Sequence, residues 1–335
     1  MTPLHGHDDA VAAFRAGLAD KRLHHAWLIS GPEGVGKALF AAKAALRILA
    51  EGAGPSVSAG GLDVPDDHPI ARLVEAGSHP DLMRLERLTR DNGVDLARSI
   101  SVDQVRGLQR LFSTTPSLSP WRVVIIDSID DLERAGANAL LKNLEEPPVN
   151  SLFLLVSHAP ERLLPTIRSR CRQLRLSALD RDAMTSALEA ALPDAEADEI
   201  RSLVEIGEGS PGRAMAYRGL DVEALDRAMR DLAAGGDSTN ARRSQLAQSL
   251  SLKASQPRYE VFLARVPALI AETAKQRRGA ALADAIHVWE RARDLAGSAT
   301  RLSLDPQSVV FELSGMLASL ATRDAPSSFG RPGRA

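Results

Sequence analysis

Cys171 is the only cysteine in this 335-residue chain. A single thiolate excludes an intrachain disulfide and any zinc site built on several cysteines. The 8 histidines supply no metal-ligand spacing either: HExxH does not occur, and His5/His7 and His24/His25 read as terminal and loop pairs with surface or capping roles. A basic excess is also missing. The 41 Lys and Arg stand against 43 Asp and Glu, a formal charge of -2, whereas a protein that held DNA phosphates by itself would be clearly positive. Any contact with nucleic acid must therefore be local or made through partners. No apolar stretch reaches the roughly 20 residues needed to span a bilayer, so no membrane association is expected. The opening Met1-Thr2-Pro3-Leu4-His5-Gly6 lacks the basic-then-apolar run of a secretory signal. A cytoplasmic location is expected by elimination. Polymerase or nuclease chemistry is not expected, because no carboxylate cluster suits two metals.

What is there is an ordinary globular composition, 44% hydrophobic and 25% charged, in a chain long enough for two or three domains. Ala26-Trp27-Leu28-Ile29-Ser30 is a short apolar run that leads into a Gly-rich turn, and residues 39–49 have no Gly or Pro and read as helix. Strand, Gly-rich loop and helix open an α/β nucleotide-binding fold. Residues 51–67 are rich in Gly, Ala, Pro, Ser and Asp and read as a flexible insertion. Residues 80–85 alternate as a strand, and Val102, Val105, Leu108, Leu111 and Phe112 share a helical face. Val123-Val124-Ile125-Ile126-Asp127 and residues 152–156 are continuous apolar runs, as in strands buried on both faces of a parallel sheet. Between them a helix runs to Glu146 and stops at Pro147-Pro148. From Leu179 onward the strand-like runs give way to Ala- and Leu-rich helical segments, and no internal repeat is visible.

Gly31-Pro32-Glu33-Gly34-Val35-Gly36-Lys37-Ala38 matches the phosphate-loop pattern up to its last position. Its glycines let backbone N–H groups turn toward phosphate oxygens, Lys37 adds charge at the β/γ end, and the next helix offers its N-terminus. Ala38 stands where Ser or Thr would ligate Mg²⁺, and a methyl cannot. Asp127 ends its strand where a metal-associated Asp belongs, but Ser128 follows where a hydrolysing enzyme needs a carboxylate to polarise water. Asp130 and Asp131 lie in the turn beyond, Asp130 as a candidate cap of the next helix. Read alone, Arg168, Arg170 and Arg172 make a solvated basic patch. Arg213, in a first helical turn after Pro211, and Glu145-Glu146, at a helix C-terminus, both oppose the helix dipole. For the two Glu a surface salt bridge is the default reading and a subunit contact the alternative.

Residues 138–148, Asn-Ala-Leu-Leu-Lys-Asn-Leu-Glu-Glu-Pro-Pro, closely resemble a helix of the bacterial clamp-loader subunits, the delta-prime and gamma/tau group of the AAA+ superfamily. Ile100-Ser101-Val102-Asp103-Gln104-Val105-Arg106 looks like the helix start that precedes the acidic strand in that group. Ser169-Arg170-Cys171 resembles its arginine-finger motif, and residues 209–214, Gly-Ser-Pro-Gly-Arg-Ala, its second sensor. These segments fall in the family's order between residue 24 and about 216. The resemblance implies that Arg170 acts in trans on a neighbouring subunit's ATP, and it makes Gly31, Gly34, Gly36, Lys37, Asp127 and, more weakly, Arg213 the remnants of a degenerate nucleotide site. Ala38 and Ser128 favour the branch of the group that does not hydrolyse ATP. The four-cysteine zinc module common in the family has no cysteines here, so no zinc is expected. No cofactor is required, while ATP or ADP binding through the loop and Lys37 stays open.

The expected architecture is α/β then all-α. An AAA+ P-loop module with a parallel sheet and flanking helices would cover 1–177, a small helical lid 178–219 and a helical collar 220–323, with a disordered tail over 324–335. Trp289, Leu295, Leu302, Val309, Phe311 and Leu313 are candidates for collar packing, with the domain's own core the default reading for most of them. The implied partners are gamma/tau and delta subunits, with the sliding clamp and primed DNA reached through the complex. Two rival readings remain: an active clamp-loader ATPase, and a free-standing nucleotide-binding regulator.

Overall fold

The computed structural model describes residues 2–19, 23–90, 93, 96–299 and 302–321. The tail expected over 324–335 lies outside them. The chain divides into two compact units, 1–216 and 217–335.

The first unit is built on five parallel strands, β1 (Ala26–Ser30), β2 (Leu82–Glu86), β3 (Arg122–Asp127), β4 (Ser151–Ser157) and β5 (Arg172–Arg175), in the order β2-β3-β4-β1-β5. One transverse row reads Arg84, Ile125, Leu154, Trp27 and Arg172. Side chains alternate across a strand, so each central strand feeds two cores. Trp27, Ile29, Val123, Ile125, Leu154 and Val156 face α1 (Asp8–Ala19), α2 (Lys37–Gly52) and α3 (Pro69–Glu75). Leu28, Val124, Ile126, Phe153 and Leu155 face α4 (Val102–Ser113) and α5 (Arg134–Glu145). Phe14 of α1, in a helix that the sequence reading did not identify, packs 5.1 Å from Trp27 and 6.0 Å from Phe40 between ring centroids. The α4 start is sharp: Ser101 and Gln104 cap each other's backbone N–H groups. This is a parallel α/β module with flanking helices, as expected.

After the one-turn α6 (Pro165–Arg168) and β5 come α7 (Arg181–Ala191), α8 (Ala197–Gly207) and α9 (Pro211–Tyr217). Met184, Leu188, Ile200, Leu203, Val204 and Ala214 close a small core of their own here. The second unit is all-helical: α10 (Val222–Gly235), α11 (Ala241–Leu250), α12 (Gln256–Lys275), α13 (Gly279–Ala299) and α14 (Pro306–Ala318). Here α12 packs on α13, and α11 on α14. Inside it, Arg265 Nε donates to Asp226 Oδ1 at 2.9 Å, a buried pair joining α12 to α10. Of the six residues considered for collar packing, Val309 and Leu313 are buried within the unit, whereas Leu302 is exposed. Trp289 is half-buried with the Arg293 guanidinium over its ring.

Residues 51–67 were read as a flexible insertion, and the structure differs. α2 continues to Gly52, Leu62 is buried in the core, and the buried Arg47 guanidinium gathers the loop. Its Nη1 donates to the carbonyls of Ala59 (2.7 Å) and Asp63 (2.8 Å), its Nη2 to Val57 (3.3 Å) and its Nε to Glu51 Oε1 (2.6 Å). A composition that favours turns is thus held from the helix before it, by Arg47 and by Lys43, whose Nζ donates to Asp63 Oδ1 at 2.7 Å.

Two histidines are expected to make the first unit acid-sensitive. Burial, helped by neighbouring His24, holds the His25 pKa below 6.5 against the bond its Nε2 donates to the Leu144 carbonyl. Burial also depresses His79, beside Asp81. Burial of Asp81 disfavours its charge, but N–H groups of Ser117, Leu118 and Ser119 at 2.7, 2.8 and 3.0 Å, together with His79, hold its pKa below 3.8. A base depressed in the fold takes up a proton on unfolding. Its contribution is therefore whole above 6.5 and lost as pH falls through that value toward the folded pKa. Asp81 adds a further loss below 3.8 by the same logic. Urea unfolding between about pH 7.5 and about pH 5.5 is expected to show stability falling with acid. His25→Gln with His79→Gln is expected to flatten the slope, and a wild-type profile level across this range would contradict the assignment.

Candidate functional site

The phosphate loop bridges β1 and α2 at the C-terminal edge of the sheet, where ligands of open parallel sheets bind. Two glycines are required by close approach. A Cβ on Gly31 (φ 149°) would lie 2.2 Å from the Leu176 carbonyl oxygen, and one on Gly34 (φ 75°) 2.6 Å from the Arg213 nitrogen. Gly212 N–H donates to the Gly34 carbonyl at 2.8 Å, so the loop is locked to the start of α9. Gly36 stands at the N-cap of α2.

Lys37 does not reach outward. Its Nζ, 3% exposed with the rest of the residue, donates to the carbonyls of Gly31 (2.8 Å) and Pro32 (2.6 Å) in its own loop. Burial lowers its pKa, opposed by Glu33, Asp130 and Asp127. A phosphate would have to draw the ammonium away from these carbonyls. Asp127 is engaged as well: Arg84 of β2 donates Nη2 to its Oδ2 at 2.7 Å while its Nε meets Glu86 at 2.9 Å. Asp130 does not cap α5. Its carboxylate accepts from Ser157 Oγ (2.9 Å), His158 N (2.6 Å) and Ala159 N (3.3 Å), and so fastens the end of β4. Asp131 pairs with Arg87 at 3.2 Å.

Beside the loop lies a cavity of about 290 Å³, lined by Lys37, Ala38 and Asp127 together with apolar residues such as Val35, Leu39 and Met215. Thr2, Pro3, Leu4 and His5 contribute to its wall, and the His7 ring donates from Nε2 to the Val35 carbonyl at 3.0 Å. The sequence reading treated this N-terminal stretch only as surface, because nothing in its composition says which loop it crosses. At the positions that would hold Mg²⁺ and polarise water stand the methyl of Ala38, an Asp127 carboxylate paired with an Arg84 that it shares with Glu86, and the hydroxyl of Ser128. Among the described residues no group of three or more His, Cys, Asp and Glu could hold a metal ion.

Arg213 offers its backbone to the loop, but its guanidinium turns to Glu208 at 3.0 Å and does not line the cavity. Arg170 is elsewhere altogether. β5 begins at Arg172, opposite Trp27 near the start of β1, so Arg170 sits at the N-terminal edge of a parallel sheet whose C-terminal edge carries the phosphate loop. Its Nη1 donates to the Thr166 carbonyl at 2.9 Å, and its Nη2 meets Glu145 Oε1 at 2.7 Å. Arg172 lies over the Trp27 ring, 4.7 Å from its centroid. Between them Cys171 is half-buried, and burial pushes its thiol up to about 12, which leaves it unreactive. The structure thus brings Gly31, Gly34, Gly36, Lys37 and Asp127 together and keeps Arg170 apart from them.

The family model described as DNA polymerase III, delta subunit, matches residues 6–180. The delta-prime subunit of Pseudomonas aeruginosa is 35% identical over 198 residues, 59% of this chain and 57% of that protein. The tau subunit of Escherichia coli is 34% identical over 210 residues, 62% of this chain but 30% of its own. The chain therefore spans less than two thirds of these two relatives. The Escherichia coli delta-prime subunit aligns more fully, 30% identical over 314 residues, 86% of this chain and 87% of that one. With half of its length under one family model and a relative aligned nearly end to end, this chain belongs to the delta-subunit family of DNA polymerase III, on its delta-prime side.

Proposed function

We propose that this chain is a clamp-loader subunit of the delta-prime kind. Its own phosphate loop serves as scaffold, and its Arg170 serves the ATP of an adjoining tau- or gamma-type subunit. One observation carries the proposal: the loop's functional groups are satisfied internally, with Lys37 on the carbonyls of Gly31 and Pro32 and Asp127 on Arg84, while Arg170 stands at the far edge of the sheet. An arginine out of reach of its own loop can meet a nucleotide phosphate only on another chain. There the guanidinium would neutralise charge as the γ-phosphoryl group leaves. Gamma/tau and delta subunits are the proposed partners, and the sliding clamp and primed DNA are met through the assembled ring. The near-neutral charge of the chain agrees with indirect contact with DNA.

The test is direct. The full chain, mixed with tau- or gamma-type and delta subunits, is expected to elute with them in one complex by gel filtration. Alone, with Mg²⁺ and radiolabelled ATP, it is expected to turn over no more nucleotide than its Lys37→Ala form. Magnesium-dependent hydrolysis abolished by Lys37→Ala would establish an active ATPase instead. A lone monomer indifferent to the other subunits would favour a free-standing regulator.

A further inference from the structure

We infer that Glu145 is a positioning residue for Arg170, setting the guanidinium before any neighbour arrives; this rests on the proposed trans role of Arg170. Two elements make the arrangement. α5 ends at Glu145, and its last turn is tied to β1 through His25, whose Nε2 donates to the Leu144 carbonyl at 3.1 Å. The turn after α6 carries Arg170 to the same edge, and the ion pair at 2.7 Å closes the gap.

The pair is unlikely by local rules and weak as a staple. A carboxylate at a helix C-terminus faces the negative end of the helix dipole, so Glu145 does nothing for α5. Its side chain is 48% exposed and that of Arg170 33%, and at that exposure an ion pair adds little to stability. What the pair does is confine a long, flexible side chain. Arginine has five N–H donors in a rigid plane. One on Nη1 goes to the Thr166 carbonyl, with Ser169 Oγ more distant at 3.5 Å, and one on Nη2 goes to Glu145. Among the described residues, the Nε–H and the second N–H of Nη2 have no partner. The guanidinium can keep both anchors and still present donors to an incoming phosphate, so the entropy of ordering it is lost before the neighbour binds. Glu146, next in sequence and exposed, makes no ion pair with Arg170 among the described residues and serves as the charge control.

The experiment is a double-mutant cycle in the reconstituted loader, built with the full chain and read as DNA-stimulated ATP turnover. Glu145→Ala is expected to lower kcat about two- to tenfold, the effect of freeing one rotamer-rich side chain, with KM for ATP little changed. Glu145→Gln, which keeps an acceptor oxygen, is expected to recover most of the loss, and Glu146→Ala to have no effect. In an Arg170→Ala background, Glu145→Ala is expected to do nothing further. If Arg170→Ala lowers turnover while Glu145→Ala leaves it unchanged, or lowers it equally with and without Arg170, the positioning role is wrong and the arginine's role stands. If Arg170→Ala itself changes nothing, the trans role fails and the inference fails with it.

Discussion

Arg170→Ala is expected to assemble into the loader as the wild type does and to slow ATP hydrolysis at the site it faces by roughly 10³–10⁵. The two halves of that expectation have different origins. Assembly and folding survive because the ion pair lost, to Glu145, is half-exposed and such pairs contribute about 0–1 kcal/mol. Hydrolysis suffers because a guanidinium at a leaving phosphoryl group acts on charge that develops only in the transition state. Arg170→Lys should rescue little, since an ammonium lacks the planar fork. Turnover in a reconstituted complex, with subunit stoichiometry checked by gel filtration, decides it. Wild-type hydrolysis in the mutant complex would remove the trans arginine from the account.

The second large effect concerns stability. Arg47→Ala is expected to destabilise the first unit by about 3 kcal/mol, because three loop carbonyls lose their donor at once and Glu51 is left with Arg15 alone. Lysine at this position cannot reach carbonyls at 57, 59 and 63 together, so Arg47→Lys should restore only part of the loss. Denaturant unfolding gives the size, and limited proteolysis gives the place: cleavage should appear within residues 53–67. A mutant that loses under about 1 kcal/mol and resists protease there would show that the loop is held by its own packing around Leu62.

This loop marks one boundary of what could be read from residues alone. Gly, Pro and Ser report that a segment is neither helix nor strand, yet they do not report what fastens it, and the fastening residue lies on the preceding helix. The N-terminal stretch shows the same limit, since His7 meets Val35 across 28 positions. Arg84 stood in plain view on an alternating strand, but its meeting with Asp127 depends on how β2 is laid beside β3.

The sequence by itself determined the α/β module and the helical segments that follow it, because periodicity and continuous β-branched runs are local properties of the chain. It also determined that Ala38 and Ser128 cannot perform the chemistry of the positions they occupy, since a missing hydroxyl or carboxylate is missing in any fold. Only the tertiary structure decided the state of the groups that remain: Lys37 turned into its loop, Asp127 paired with Arg84, Asp130 holding β4, and Arg170 set against Glu145 on the opposite edge of the sheet. Those are contacts between residues far apart in sequence, and their partners follow from strand order and register, which no local pattern encodes.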